Sequence, residues 1–478
     1  MDKRFYITTT LPYVNAEAHM GHALEFIRTD VIARWKKLQG FEVFFNTGTD
    51  EHGQKLFTVA TAVGKDVQDY VDENAATFRA LLPKLGISPE IHFVRTTDPH
   101  HVTAAQEFWR RVEANGYIYK KNYSTKYCVG CELEKTDSEL VDGKCPLHPN
   151  LQIELLEEEN YFFKFSAFGD MLLAFYDAHP DFVVPDFRMN EMREFIKRGL
   201  EDFSISRLKE KMSWGISVPG DESHVMYVWF DALVSYISTL GWPEDEANFN
   251  AFWAAGTPTQ YCGKDNTRFQ AVMWQAMLMA ANLPNSNTIV VNGFVTAEGG
   301  AKMSKSLGNV VNPLDIVSEY GTDALRYFVC RELSTFEDSP FTLERFRDAY
   351  NANLANGLGN LASRILTMSE KNLEPQNIED AVVNGDIDTA LGNFEIGKAM
   401  DHIWHQIGEL DKKIQNTEPF KLVKTDVDAG KKTIKELVQG LAEVAHNLRP
   451  FLPETSTKII ELVKANKKPA EPLFLRKE

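Results

Sequence analysis

The order of strand, helix and strand at the start of the chain constrains its fold most. Residues 5–11 (FYITTTL) are aromatic and β-branched and stop at Pro12, and an amphipathic pattern then runs from about residue 18 to 38, ending before Gly40. Residues 41–48 (FEVFFNTG) read as a second strand. A parallel doubly wound α/β sheet begins in this way. Strand-like runs return at 226–230 (MYVWF), 259–263 (TQYCG) and 288–294 (TIVVNGF), the last two separated by a helical stretch over 266–281. The sheet is expected to resume after an interruption.

The interruption, roughly residues 116–219, has short Tyr-rich strands (YIYKKNYSTKYC), a cysteine cluster and a Glu-rich stretch (ELLEEENY), and reads as an inserted domain. After about residue 346 the apolar periodicity is helical through LANGLGNLASRILTM, EIGKAMDHIWHQIGELDKKI and KKTIKELVQGLAEVAHNL, which predicts a helix bundle. KANKKPAEP near the end reads as loop.

At ~150 residues per domain, 478 residues suggest about three domains, and 44% hydrophobic with 25% charged residues excludes a disordered or fibrous chain. No apolar run approaches the ~18 residues of a membrane span, and the N-terminus lacks the apolar core of a cleaved signal. A cytoplasmic protein is expected. Five cysteines, an odd number, do not make a disulfide framework and fit reduced thiols or metal ligands. A net charge of −17 argues against global attraction to nucleic acid. Residues 412–478 run the other way, with fourteen Lys and Arg against nine Asp and Glu.

Three segments carry candidate chemistry. His19, Met20, Gly21 and His22 sit where the first strand hands over to the first helix. Histidines three apart share a helical face, glycine admits close backbone approach, and a helix N-terminus favours anions, so a phosphate fits; the alternative is that the histidines cap and pack the helix. Lys302 and Lys305 in KMSKS follow Gly299 and Gly300, a Gly-flanked loop whose ammonium groups can follow charge developing on a polyphosphate, or which is only a solvated surface loop. Cys128-x2-Cys131, thirteen residues, then Cys145-x2-His148 has the spacing of a closed tetrahedral zinc site, whose full set of three thiolates and one imidazole makes the zinc structural. The alternative is two unlinked reduced pairs. Cys262 and Cys330 read as core thiols.

HMGH and KMSKS flanking an interrupted sheet resemble the two defining motifs of class I aminoacyl-tRNA synthetases, and the resemblance is strongest to the methionine-specific branch. It runs over nearly the whole chain, through TLPYVNAEAHMGHALEF, GTDEHG, CVGC with CPLH, DFSISR, YVWFDALVSY, GKDN, NGFVT and NLASR in that order. It implies five segments. These are the first half of a Rossmann-type catalytic sheet (1–115), a connective domain with a zinc knob (116–224), the second half of the sheet (225–293), a linking domain bearing KMSKS (294–350) and a helical anticodon-binding domain (351–478).

The implied reaction makes an aminoacyl-adenylate from amino acid and ATP, releases pyrophosphate and transfers the acyl group to the terminal adenosine of tRNA. By resemblance, His19 and His22 hydrogen-bond the phosphates, Lys305 assisted by Lys302 neutralises the leaving pyrophosphate, and Gly21, Gly263 and Asp265 lie near ATP, with Asp265 at the ribose. Magnesium arrives with ATP. Asp50 answers the methionine ammonium group, while Leu11, Tyr13, Trp229, Ala232, Tyr236 and Gln270 match the pocket. Gln270 falls where many relatives carry His, and Leu233 where some carry Pro. Many relatives use four cysteines for zinc, His148 being the substitute here. Asn360 and Arg364 match the anticodon-reading pair, and Phe420 stands where relatives often present Trp; on its own pattern it reads equally as a buried ring.

Synthetases for isoleucine, valine or leucine carry a large editing insertion, whereas 279 residues separate the motifs here. A cysteine enzyme and a non-catalytic tRNA-binding relative are the remaining rivals, and the second predicts damaged motifs. Since some relatives dimerise through an extra C-terminal domain that is not read here, the expectation is a monomer.

Overall fold

The computed structural model describes residues 3–15, 18–135, 137–300, 311–375 and 384–478. The chain forms two compact units: one of Met1–Glu17, Gly40–Leu81 and Glu90–Val291, the other of Ala18–Gln39, Leu82–Pro89 and Asn292–Glu478.

The first unit is built on a six-stranded parallel sheet. Its strands are β1 (Arg4–Thr8), β2 (Glu42–Thr49), β3 (His92–Arg95), β4 (Val183–Val184), β5 (Thr259–Gly263) and β6 (Thr288–Asn292), in the spatial order β3-β2-β1-β5-β6-β4. Ile7 of β1 is level with Phe45 of β2 on one side and Thr259 of β5 on the other. The strand order reverses between β1 and β5, and open α/β sheets bind ligands beyond the carboxyl ends of strands at such a switch point. Both faces of a parallel sheet are covered, so its strands read as nearly continuous apolar runs, as in Phe5, Tyr6 and Ile7, all buried.

The interruption folds around a long antiparallel pair rather than the short strands expected, Ile118–Cys128 with Glu154–Phe163, in register from Ile118 opposite Phe163 to Tyr127 opposite Glu154. It also supplies β4 to the edge of the main sheet, a two-residue contribution too short to leave a pattern in the sequence. Aromatic residues from both halves of the sheet and from the insertion, among them Phe108, Trp109, Phe163, Phe230, Trp253 and Trp274, form one buried core.

One expected strand is wrong. Residues 226–230 do not form a strand of the main sheet. A strand at Asp221–Met226 pairs antiparallel with Ser206–Leu208, and the chain then turns into the helices Val228–Ala232 and Ser235–Ser238. A short apolar run suits a buried helix as well as a strand, and the run alone cannot separate them. The helical period does. Trp229, Ala232 and Tyr236, at spacings of three and four, share a face only if the backbone is helical. The stretch expected as one helix over 266–281 divides into a tight turn at Lys264–Asn266, a wide π turn at Phe269–Met273 and an α-helix at Trp274–Ala280.

The second unit joins α1 (Met20–Leu38) to the C-terminal helices, including Asn360–Asn372, Ile396–Thr417, Val427–Leu448 and Pro453–Ala465. Buried cations hold α1 there. Arg28 donates to the carbonyl oxygens of Val329, Leu333, Ser334 and Thr335 and to Asn292 Oδ1, at 2.8–3.3 Å. Arg326 reaches Asp30 at 2.8 Å and the carbonyls of Leu85, Gly86, Pro450 and Phe451. A guanidinium with every donor engaged tolerates burial that an unpaired charge would not. Among the described residues no helix is long and apolar enough to cross a membrane.

Candidate active site and metal centre

The loop after β1 and the turn after β2 run side by side. Asp50 N–H donates to Pro12 O at 2.9 Å and Val14 N–H to Asp50 O at 3.3 Å, so Tyr13 and Asp50 form a one-residue parallel bridge at the carboxyl edge of the sheet. Leu11, half-buried, lies two residues before Tyr13 in this loop. The Asp50 carboxylate is buried, and its Oδ1 has no hydrogen-bond partner among the described residues. Burial, then the charges of Asp231 and Glu132, push its pKa well above the ordinary carboxylate range. A buried, half-satisfied carboxylate is costly. A cationic ligand group would offset that cost.

The helical segment after residue 227 carries three further residues expected in the pocket. Trp229 is half-buried with its ring stacked on Phe269 at 3.9 Å and 3°. Ala232 and Tyr236 are buried on the same face, and the Tyr236 hydroxyl accepts from Gln270 Nε2 at 2.7 Å. His52 ties the turn after β2 to this segment, its Nδ1 lying 2.8 Å from Asp231 Oδ2, while His101 Nε2 lies 3.1 Å from Asp231 Oδ1. Burial acts to raise the Asp231 pKa, but the charge of His52 and the hydrogen bonds from both imidazoles hold it below the usual value. Contacts thus link Tyr13 to the turn of Asp50, that turn to the 228–238 segment through His52, and that segment to Gln270. His52, His101 and Asp231 were not foreseen; DEHG and WFDA were read as motifs, but nothing local shows that residues so far apart in sequence meet.

His19 is the N-cap of α1. Its Nδ1 accepts from Gly21 N–H at 3.1 Å, His22 Nδ1 accepts from His19 N–H at 3.2 Å, and the two rings stack at 3.9 Å. The motif thus does cap its helix, as the alternative held, and the cap fixes the rings. A neutral imidazole whose Nδ1 accepts carries its proton on Nε2, a donor. Burial and the neighbouring His19 hold His22 well below the usual histidine pKa, which favours that neutral form. A Cβ on Gly21 would stand 3.0 Å from His19 Cε1, so a side chain there would press on the ring. Gly263 ends β5 and Asp265 is exposed in the turn that follows, beyond the carboxyl end of the sheet. Lys302 and Lys305 lie outside the described residues.

Cys128, Cys131, Cys145 and His148 each bring one ligand atom into a cluster in which all lie within 4.8 Å of one another. Cys131 Sγ is 3.4 Å from Cys145 Sγ and 3.2 Å from His148 Nδ1. Burial, then the hydrogen bond with Cys145, pushes the Cys131 thiol up to about 12, a penalty on the thiolate that a bound cation reverses. Gly130 in the knuckle is required by space, since a Cβ there would meet His148 Cγ at 2.5 Å. The donor set fits a closed structural metal site.

In the second unit Asn360 and Arg364 stand on the helix Asn360–Asn372, with Arg364 Nη1 donating to Asp411 Oδ1 at 2.5 Å. Phe420, at the start of the helix Pro419–Thr425, is exposed rather than buried.

A doubly wound sheet with a ligand-binding switch point, a histidine-capped first helix, a Cys3His insertion and a C-terminal helical bundle define a class I tRNA synthetase. The family model described as tRNA synthetases class I (M) matches residues 5–152 and 148–366. Methionine–tRNA ligase of Caldanaerobacter subterraneus subsp. tengcongensis is 39% identical over 96% of this chain and 74% of its own length; that of Rhizobium meliloti is 40% identical over 96% and 91%. The Mycobacterium tuberculosis methionyl-tRNA synthetase in complex with methionyl-adenylate superposes with a TM-score of 0.90 at 37% identity, over 96% of this chain and 94% of that one. The chain belongs to the methionyl-tRNA synthetase family.

Proposed function

We propose that the chain activates methionine with ATP and then transfers it to the 3′-terminal adenosine of tRNA(Met), with its residues divided between the two steps as follows. A methionine carboxylate oxygen attacks the α-phosphorus, the bond to the bridging oxygen breaks, and pyrophosphate leaves with that electron pair. No protein nucleophile is needed. The protein aligns two anions and stabilises the charge that accumulates on the phosphates. Asp50 takes the substrate ammonium group; Leu11, Tyr13, Trp229, Ala232, Tyr236 and Gln270 enclose the thioether, for which aromatic walls are suited. His19 and His22 donate from Nε2 to the phosphates beside Gly21, Gly263 and Asp265 lie at the nucleoside, and Lys302 and Lys305 neutralise pyrophosphate, with magnesium carried by ATP. In the second step a ribose hydroxyl of the terminal adenosine attacks the acyl carbon and AMP leaves.

Zinc held by Cys128, Cys131, Cys145 and His148 would cross-link the insertion and leave no open position for substrate. Residues 116–224 then serve as a connective domain between the catalytic halves 1–115 and 225–293. Residues 294–350 form the linking segment, and 351–478 read the anticodon through Asn360, Arg364 and a stacking Phe420. We further propose a cytoplasmic monomer. The observation that carries the reading is the buried Asp50 carboxylate, with one oxygen lacking a partner among the described residues, beside Tyr13 at the carboxyl edge of the sheet. Pyrophosphate exchange measured against a panel of amino acids tests it. Methionine alone should support exchange, and exchange with isoleucine, valine, leucine or cysteine in its place, or none at all, overturns the assignment.

A further inference from the structure

Glu132 follows directly on Cys131, yet its side chain is spent on the pocket rather than on the knuckle. It is buried and its φ of +50° is one that non-glycine residues rarely adopt, a conformation that persists only where the surroundings impose it. Its carbonyl oxygen accepts from the Tyr227 hydroxyl at 2.8 Å. Its carboxylate Oε1 accepts two hydrogen bonds of 2.7 Å, one from the Tyr13 hydroxyl and one from Lys55 N–H at the start of the helix Gln54–Ala62. Gly53, between that helix and the turn bearing Asp50, has φ +114°, and a Cβ on it would stand 2.3 Å from Glu132 Oε2 and 2.8 Å from the Tyr13 hydroxyl. The loop after β1, the turn after β2 and the end of the knuckle therefore interlock at a single carboxylate.

We propose that Glu132 is a positioning residue for methionine recognition, its carboxylate fixing Tyr13 and the turn of Asp50 and so coupling the fold of the metal knuckle to the shape of the amino-acid pocket. The inference rests on the reading of Tyr13 and Asp50 as methionine-binding residues. A residue that holds others in place affects the affinity for the one ligand they touch. Methionine binding should suffer while ATP binding does not.

The test uses the full chain, with zinc content determined for every variant and methionine affinity measured by equilibrium dialysis. Glu132→Ala removes the acceptor, Glu132→Asp withdraws it by one methylene while keeping the charge, and Glu132→Gln keeps an oxygen at the same reach. Ala and Asp are expected to weaken methionine binding roughly tenfold or more, the scale of leaving buried donors without their acceptor. KM for ATP and zinc content should be unchanged, and Gln should restore most of the affinity. Should the Ala variant not fold, Asp against Gln carries the comparison. Unchanged methionine affinity in Ala and Asp overturns the proposal. So does loss of zinc in step with methionine, which would make Glu132 a support of the knuckle, and so does failure of Gln, which would assign the effect to charge. Asp50→Asn run in parallel separates the two readings: normal methionine binding there removes the pocket assignment itself, whereas its loss beside an unaffected Glu132→Ala removes only the positioning role.

Discussion

Gln270 donates from Nε2 to the Tyr236 hydroxyl at 2.7 Å, and its Oε1 accepts from Gln260 Nε2 at 2.6 Å, all three residues being buried. The Tyr236 carbonyl in turn accepts from the Tyr6 hydroxyl on β1 at 2.9 Å, so one polar chain ties the helix Ser235–Ser238 to the central strand. Gln270→Leu leaves a buried amide and a buried phenol short of partners, which costs about 1–3 kcal/mol. Gln270→His retains one donor and one acceptor on a neutral ring. Thermal unfolding with and without methionine should show a lower midpoint and a weaker methionine response for Leu, and near-native behaviour for His. Equal behaviour of the two variants would separate Gln270 from the pocket.

On the proposed reading Asp50 sets a trade between stability and methionine binding. Its folded pKa lies well above the unfolded value because of burial and of Asp231 and Glu132. Between those two values the folded state holds more protons than the unfolded one, so stability contributed at this site falls as pH rises from the ordinary carboxylate range through the raised pKa. Asp50→Asn removes this dependence and should stabilise the ligand-free protein at neutral pH. The same variant should lose about 1.5–3 kcal/mol of methionine affinity, the range for hydrogen bonds to charged groups. In the native chain methionine affinity should decline as pH falls through the raised pKa, when the carboxylate neutralises. Calorimetric titration from neutral to acidic pH checks both, and a flat profile would exclude Asp50 as the counter-charge.

How much of this was legible in the sequence differs from element to element. β5 follows the TQYCG run residue for residue, and the long strand ending at Cys128 follows its Tyr-rich segment, because alternation and β-branching act locally. The run at 226–230 misled because burial on all sides erases the period that separates strand from helix. Trp229, Ala232 and Tyr236 were nonetheless assigned together by motif, and their helical spacing accounts for why the motif has that length. Glu132, Asp231, His52 and His101 were invisible for another reason. Their partners lie 77 to 179 residues away in sequence, at Lys55, Tyr13, His52 and His101 in the pairs that matter, and no local pattern encodes such a meeting.

Arg364 is held by Asp411 in a pair of which both side chains are 38% exposed. Such a pair contributes about 0.2–1 kcal/mol at most to folding. Arg364→Ala should therefore leave the unfolding midpoint nearly unchanged and leave pyrophosphate exchange intact. A contact to an anticodon base carries about 1–3 kcal/mol, so charging of tRNA(Met) should fall by roughly one order of magnitude or more. Asp411→Asn keeps the arginine and releases it from its anion, and should preserve charging. Normal kinetics of tRNA charging by Arg364→Ala would end the anticodon assignment.

His148 is the member of the Cys3His cluster whose replacement discriminates best. Its Nδ1 lies 3.8 Å from Cys128 Sγ and 3.2 Å from Cys131 Sγ, so a shorter thiolate at the same place must draw the backbone of 145–148 inward, while alanine leaves three ligands only. Closed zinc sites accept cysteine and histidine interchangeably in kind, and the metal contributes to folding outright, with apparent affinities of about 10–16 kcal/mol in zinc-finger peptides. The purified chain should hold one zinc per molecule; His148→Cys should retain it, and His148→Ala should lose it to a chelator that leaves the native protein loaded. On losing the metal the insertion should become sensitive to protease near the knuckle, where Cys128 and Cys145 are now buried. A native chain that carries no zinc after purification without chelators would show the four residues to be reduced thiols beside a histidine.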